Sequence, residues 1–125
     1  MTPPRWSVVI PAFNEASRLP RYLDEVVAHF EGRGEPYEVI VVDDGSTDGT
    51  AEVVKARRHP SVSVLRLGRN SGKGAAVRAG MLAAQGAFRL FTDADGATPI
   101  AELKRLEPAL AAGADLAFGS RAVAA

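Results

Sequence analysis

The chain has 125 residues, 46% of them hydrophobic and 24% charged, which suits one packed domain and excludes both two ordinary domains and a disordered segment. Fifteen lysines and arginines balance fifteen aspartates and glutamates, so no overall basic field points to nucleic acid. Cysteine is absent, which rules out disulfides and thiolate metal sites and suits a reducing compartment. No apolar run approaches the roughly 20 residues that span a bilayer, and the opening Met-Thr-Pro-Pro-Arg is not a signal peptide. The expectation is a soluble cytoplasmic domain.

The apolar run Ser7–Ile10 predicts a first strand. A helix follows, in which Leu19, Leu23, Val26, Val27 and Phe30 share a face and Ser17 is the expected cap. Glu38–Val42 is the second strand, and a second helix is expected from about residue 48 to 58, with Ser46, Thr47 and Asp48 all suited to start it. Val62–Leu67 is the third strand. The third helix carries Val77, Gly80, Met81 and Ala84 on one stripe, with Gly86 as its stop. Phe88–Thr92 is the fourth strand. Thr98 and Pro99, a cap and a first-turn proline, open a fourth helix with Ile100, Leu103 and Leu106, which Pro108 ends or kinks. Asp115–Phe118 is the fifth strand. None of these runs alternates strictly with polar residues, as expected of strands covered on both faces.

Strands alternating with helices through short links make an α/β fold with a parallel sheet, right-handed crossovers and helices on both faces. Residues 1–125 form a single domain without repeat or linker. The alanine-rich end follows the fifth strand directly, which leads to the expectation of the first half of a larger fold.

Ligands of such sheets sit at the carboxyl ends of the strands, where this sequence concentrates polar residues and glycine. Asp93-Ala94-Asp95 can hold one hard cation against a diphosphate, or can be an aspartate-rich turn. An EF-hand is excluded, because Lys104 stands where its closing glutamate belongs. Asp43 and Asp44 can accept from ribose hydroxyls or base N–H groups, while Asp48 reads as a structural cap. The stretch Gly68–Gly74 is neither a Walker A loop nor a dinucleotide fingerprint. It is either an anion-favouring helix start with Arg69, Lys73 and Arg78 nearby, or a tight turn on a solvated basic face. Phe13 is a core aromatic or a stacking platform, and Glu15 can simply start a helix. His29 and His59 lie away from the polar strand ends, and no serine–histidine–acid set is suggested.

Taken together, SVVIPAFNE (7–15), VIVVDDGSTDGT (39–50), GKGAAVRAGM (72–81), the Asp-x-Asp at 93–95 and FGSRA (118–122) resemble the nucleotide-sugar half of a family-two inverting glycosyltransferase. The resemblance is strongest to dolichyl-phosphate and polyprenyl-phosphate β-glucosyltransferases. It implies a Rossmann-like GT-A fold and a site in which Pro11, Ala12, Phe13 and Glu15 line the nucleoside pocket. It further implies that Asp43 and Asp44 meet the nucleoside, with Asp44 accepting from the base, and that Lys73 and Arg121 lie near the phosphates. Asp93, Ala94 and Asp95 would border the diphosphate, with Asp93 and Asp95 holding Mg²⁺ or Mn²⁺. The implied partners are a UDP-sugar and a lipid-phosphate acceptor, with the protein peripheral at the cytoplasmic membrane face. Family members continue past the fifth strand into acceptor-binding elements. The alternatives are a non-catalytic nucleotide-sugar-binding fragment and a nucleotidyltransferase.

Overall fold

Seven elements alternate along the chain: β1 (Trp6–Ala12), α1 (Leu19–Arg33), β2 (Tyr37–Asp43), α2 (Thr50–Lys55), β3 (Val62–Arg66), α3 (Lys73–Ala83) and β4 (Phe88–Phe91). The structure, a computed structural model, describes residues 3–94, so the fourth helix and fifth strand expected from the sequence lie outside the described residues. The four strands form one parallel sheet in the order β3-β2-β1-β4.

Every residue of β1 is buried, as its central place in the sheet demands. Two apolar layers enclose the sheet. On one face Val8, Ile10, Val39 and Val41 pack with Leu19, Tyr22, Leu23, Val26 and Phe30 of α1 and with Val54 of α2. On the other, Val9, Ile40 and Val42 pack against Ala76 of α3. The helices therefore lie on both faces, and successive β1 residues point alternately into the two layers. β3 departs from the expectation of strands covered on both faces. It is an edge strand whose residues are all at least partly exposed.

Helix boundaries also differ from the sequence reading. α1 begins at Leu19 with Arg18 at the cap position and no side-chain cap, so Ser17 does not play that part. Pro20 lies in the first turn, where its missing N–H costs nothing. α2 is only six residues long and starts after Gly49, because Asp48 is used in the preceding turn. α3 begins four residues before Val77, and its buried stripe is Ala76 and Gly80. It ends at Ala83, before Gly86 is reached.

β1 pairs with β2 as far as Ala12↔Asp43 but with β4 only as far as Val9↔Phe91. The cause is one residue. The Thr92 N–H donates to the Val9 carbonyl (3.0 Å), and the Asp44 N–H to the Ala12 carbonyl (2.9 Å). Alternate β1 residues therefore serve opposite neighbours, which assigns Pro11 to the β4 side, and proline has no N–H to give. The ladder stops there and the sheet opens.

Gly80 is where α3 meets the sheet. A Cβ at this position would collide with Val9 Cγ1 and lie 2.9 Å from Val42 Cγ2. Gly80→Val should therefore destabilise the fold by about 2–3 kcal/mol through overpacking. Urea unfolding monitored by circular dichroism checks this, and an unchanged midpoint would show that α3 can lift off the sheet freely.

Candidate functional site

The carboxyl ends of β1, β2 and β4 and the start of α3 border one cleft of about 490 Å³. Its lining includes Pro11, Ala12, Phe13, Glu15, Asp44, Lys73, Asp93 and Ala94, so most of the residues anticipated from the sequence converge. Asp43 does not line it. Its carboxylate is buried, accepts from the Ser46 N–H (3.0 Å) and lies 3.7 Å from Arg66 Nε. Asp95 and Arg121 lie outside the described residues. A larger cleft, about 680 Å³, opens near the amino ends of β2 and β3 beside Pro36, Tyr37 and Pro60. The polar motifs of the strand tips do not meet there.

Asp44 organises the cleft. It is buried, and its two carboxylate oxygens accept from the backbone N–H groups of Ser71 (2.7 Å) and Gly72 (3.0 Å). These are the last residues before α3, so a strand-end carboxylate pins the loop that delivers Lys73. Gly45 lets the two loops cross. Its φ is +76°, and a Cβ there would lie 2.5 Å from the Asn70 nitrogen and 2.6 Å from the Arg69 carbonyl carbon. Only glycine fits such a contact between backbones.

Lys73 extends from the first turn of α3, and its ammonium is ion-paired with Asp93 Oδ1. It also lies 6.0 Å from the Phe91 ring centroid. Neither Arg69 nor Arg78 lines the cleft, which leaves Lys73 as the basic residue of that stretch on it. Asp93 follows β4 directly after Thr92, whose buried hydroxyl is hydrogen-bonded to the Tyr22 hydroxyl of α1 (2.7 Å). The helix thus steadies the strand end that presents the carboxylate.

The β1–α1 loop is held from the other side. Asn14, at φ 53°, clasps the loop after β2 in both directions. Its N–H donates to Ser46 Oγ and its side-chain oxygen accepts from the Thr47 N–H, each at 2.9 Å. The Glu15 N–H donates to Thr50 Oγ1 (3.1 Å) and the Ala16 N–H to Asp48 Oδ2 (3.1 Å). This clasp leaves Phe13 46% exposed, so the core reading of that aromatic is replaced by an open ring face beside the cleft. Glu15 is buried and pairs with Arg18, a cleft-lining cation that the sequence reading missed. The spacing i, i+3 was the available signal.

Asp93 and Asp44 bring only oxygen donors to the cleft, and the Lys73 ammonium shows that Asp93 accepts a cation there. Such a donor set fits a hard divalent ion of the Mg²⁺ or Mn²⁺ kind. Among the described residues no three carboxylates or histidines gather around one point.

A parallel sheet flanked by helices on both faces, with its polar cleft at the strand tips, defines the Rossmann-like nucleotide-binding half of a GT-A fold. The chain belongs to glycosyl transferase family 2, which it matches over residues 7–124. Among its relatives is a dolichyl-phosphate β-glucosyltransferase of Drosophila melanogaster, 50% identical over 113 residues, covering 83% of this chain and 35% of the relative. Another, of the same name, is from Trichomonas vaginalis, 48% identical over 106 residues (79% and 32%). The chain thus spans about a third of the length of these relatives. Among solved structures it resembles the mannosyltransferase PcManGT of Pyrobaculum calidifontis in complex with GDP-Man and Mn²⁺. That likeness has a TM-score of 0.66 at 34% identity and covers 75% of this chain and 28% of that one. S. aureus TarS in complex with UDP-GlcNAc gives 0.64 at 32% identity, covering 73% and 26%.

Asp48 provides a pH test of the clasp. Hydrogen bonding, foremost from the Thr50 hydroxyl, holds its carboxyl below the ordinary aspartate range despite some desolvation, with help from the Ala16 and Thr50 N–H groups. A depressed carboxyl adds stability that is complete above its unfolded pKa and is lost as the pH falls through its folded one. The Tm gap between wild type and Asp48→Asn should therefore be full above about pH 5 and shrink towards pH 2. A gap constant across that range would show that the carboxylate charge does not hold the loops.

Proposed function

We propose that this domain binds UDP-glucose with a divalent cation, as the donor half of an enzyme that glucosylates dolichyl or another polyprenyl phosphate with inversion. The observation that carries the reading is the meeting of Asp44, Lys73 and Asp93 on one cleft beside the open face of Phe13. The chemistry of a nucleoside diphosphate matches this arrangement in order: a ring to stack on, an acceptor for a base N–H, and cationic partners for the phosphates. The names of the relatives support the acceptor class and the glucosyl donor.

Each group has a defined task in this reading. Phe13 stacks on the uracil. Asp44 already accepts two backbone N–H groups, and a carboxylate has lone pairs left for a base N–H. Lys73 places an ammonium at the diphosphate end of the cleft. A divalent ion held by Asp93 and Asp95 would supply charge neutralisation for the departing UDP. An oxygen of the acceptor phosphate attacks the sugar C1 from the face opposite UDP. The C1–O bond to the β-phosphate breaks, and UDP leaves with that electron pair. The attacking phosphate is anionic at neutral pH, so the step needs no strong general base, in keeping with a cleft lined without histidine. No helix among the described residues is long and apolar enough to cross a membrane, and the acceptor would be met at the cytoplasmic membrane surface.

With Mn²⁺ present, UDP-glucose should raise the Tm more than GDP-mannose does, because a ligand bound only by the native state stabilises it. An equal or larger shift with GDP-mannose would overturn the donor assignment. Release of pyrophosphate from UTP and glucose 1-phosphate would instead mark a nucleotidyltransferase.

Phe13→Ala offers a second test. Its exposed ring contributes little to folding, so stability should stay within about 0.5 kcal/mol. UDP affinity should fall by about 1–3 kcal/mol, the usual worth of stacking a base on an aromatic ring. Calorimetric titration measures this, and unchanged UDP affinity would place the base elsewhere.

A further inference from the structure

Lys73 is the cation that the protein itself supplies to Asp93. It stands at the first position of α3, and the loop before it is fastened to Asp44 by two hydrogen bonds. Its side chain is half exposed, whereas that of Asp93 is only 19% exposed. The ammonium is thus the mobile member of the pair, on a flexible four-carbon stem, and the carboxylate is the fixed one, behind the Tyr22–Thr92 hydrogen bond.

We infer that Lys73 and the divalent ion compete for the Asp93 carboxylate, so that metal binding displaces the ammonium and releases it towards the donor diphosphate. This rests on the proposed function and adds an exchange of charges to it. Two cations cannot share one carboxylate without strong mutual repulsion at such separations. The metal's affinity on its own is therefore lowered by Lys73, and its affinity together with a diphosphate is raised, since the freed ammonium finds a new anion. The domain would bind metal weakly alone and tightly with its donor. Lys73 is then a positioning residue for ordered loading, in addition to being a phosphate contact.

Binding of Mn²⁺ alone and of UDP in saturating Mn²⁺, measured by electron paramagnetic resonance and calorimetry on the full chain, tests the exchange. Lys73→Met should bind Mn²⁺ alone about three- to tenfold more tightly than wild type, since it loses both a partly exposed ion pair and a like charge. The same variant should bind UDP with Mn²⁺ more weakly, while Lys73→Arg stays close to wild type in both. Circular dichroism confirms that each variant is folded. In wild type labelled at lysine Cε, Mg²⁺ should shift the Lys73 resonance, and in Asp93→Asn it should not. Mn²⁺ affinity equal or weaker in Lys73→Met overturns the exchange but leaves the donor assignment standing. Failure of wild type and Lys73→Met alike to bind Mn²⁺, with or without UDP, overturns the exchange together with metal use at Asp93. Tighter Mn²⁺ binding with unchanged UDP affinity overturns the transfer of the ammonium to the diphosphate.

Discussion

Two backbone N–H groups, those of Ser71 and Gly72, converge on the carboxylate of Asp44, and the geometry of the cleft follows from that contact. The carboxylate is at the tip of β2 and the N–H groups are at the mouth of α3, so the bond joins the sheet to the helix that carries Lys73. Burial strengthens the contact, because water competes poorly for a carboxylate that is 4% exposed. The residue that fastens the loop also lines the cleft, so in the proposed function architecture and recognition draw on one charge. An asparagine there would keep a single acceptor for two donors, and the loop would lose its fixed height above the sheet.

The second organising feature is the division of labour among the strand-end polar residues. Asp43, Ser46, Asp48 and Thr50 are all occupied by backbone or neighbouring side-chain partners. They build a rigid rim. Asp93 and Lys73 meet through their side chains, and a contact between side chains can be exchanged without unfolding a turn. Hydrogen-bonded groups of the rim thus surround an ion pair that can be exchanged, the arrangement that the proposed function requires.

Much of this was legible in the residues. The buried run of β1, the buried second half of β2 and the i, i+3, i+4 face of α1 follow directly from periodicity, and so does the cleft at the strand tips. What escaped was local. Ser17 looked like a cap because hydroxyl residues generally are, yet the Glu15 carbonyl already accepts from the N–H groups of Arg18 and Leu19, and the helix begins without a side-chain cap. α3 began earlier than its apolar stripe suggested, because alanine and glycine, rather than large side chains, make its contact with the sheet. Asp43 and Asp44 are adjacent and chemically identical, and only the alternation of the strand sends one into the rim and the other towards the cleft. Phe13 was ambiguous for the opposite reason. Its exposure depends on the Asn14 clasp, a contact with residues more than thirty positions away.

Pro11 bears on how the two sides of the cleft are spaced. Because β1 has no N–H to offer β4 beyond Val9, pairing ends where the Thr92 N–H meets the Val9 carbonyl, and Asp93 and Ala94 follow outside the ladder. The separation of Phe13 from Asp93 is then not dictated by a continued β1–β4 ladder. It is set by the Tyr22 hydroxyl from one side and the Lys73 ammonium from the other. A single imino acid in the central strand thus marks where backbone pairing gives way to side-chain anchors.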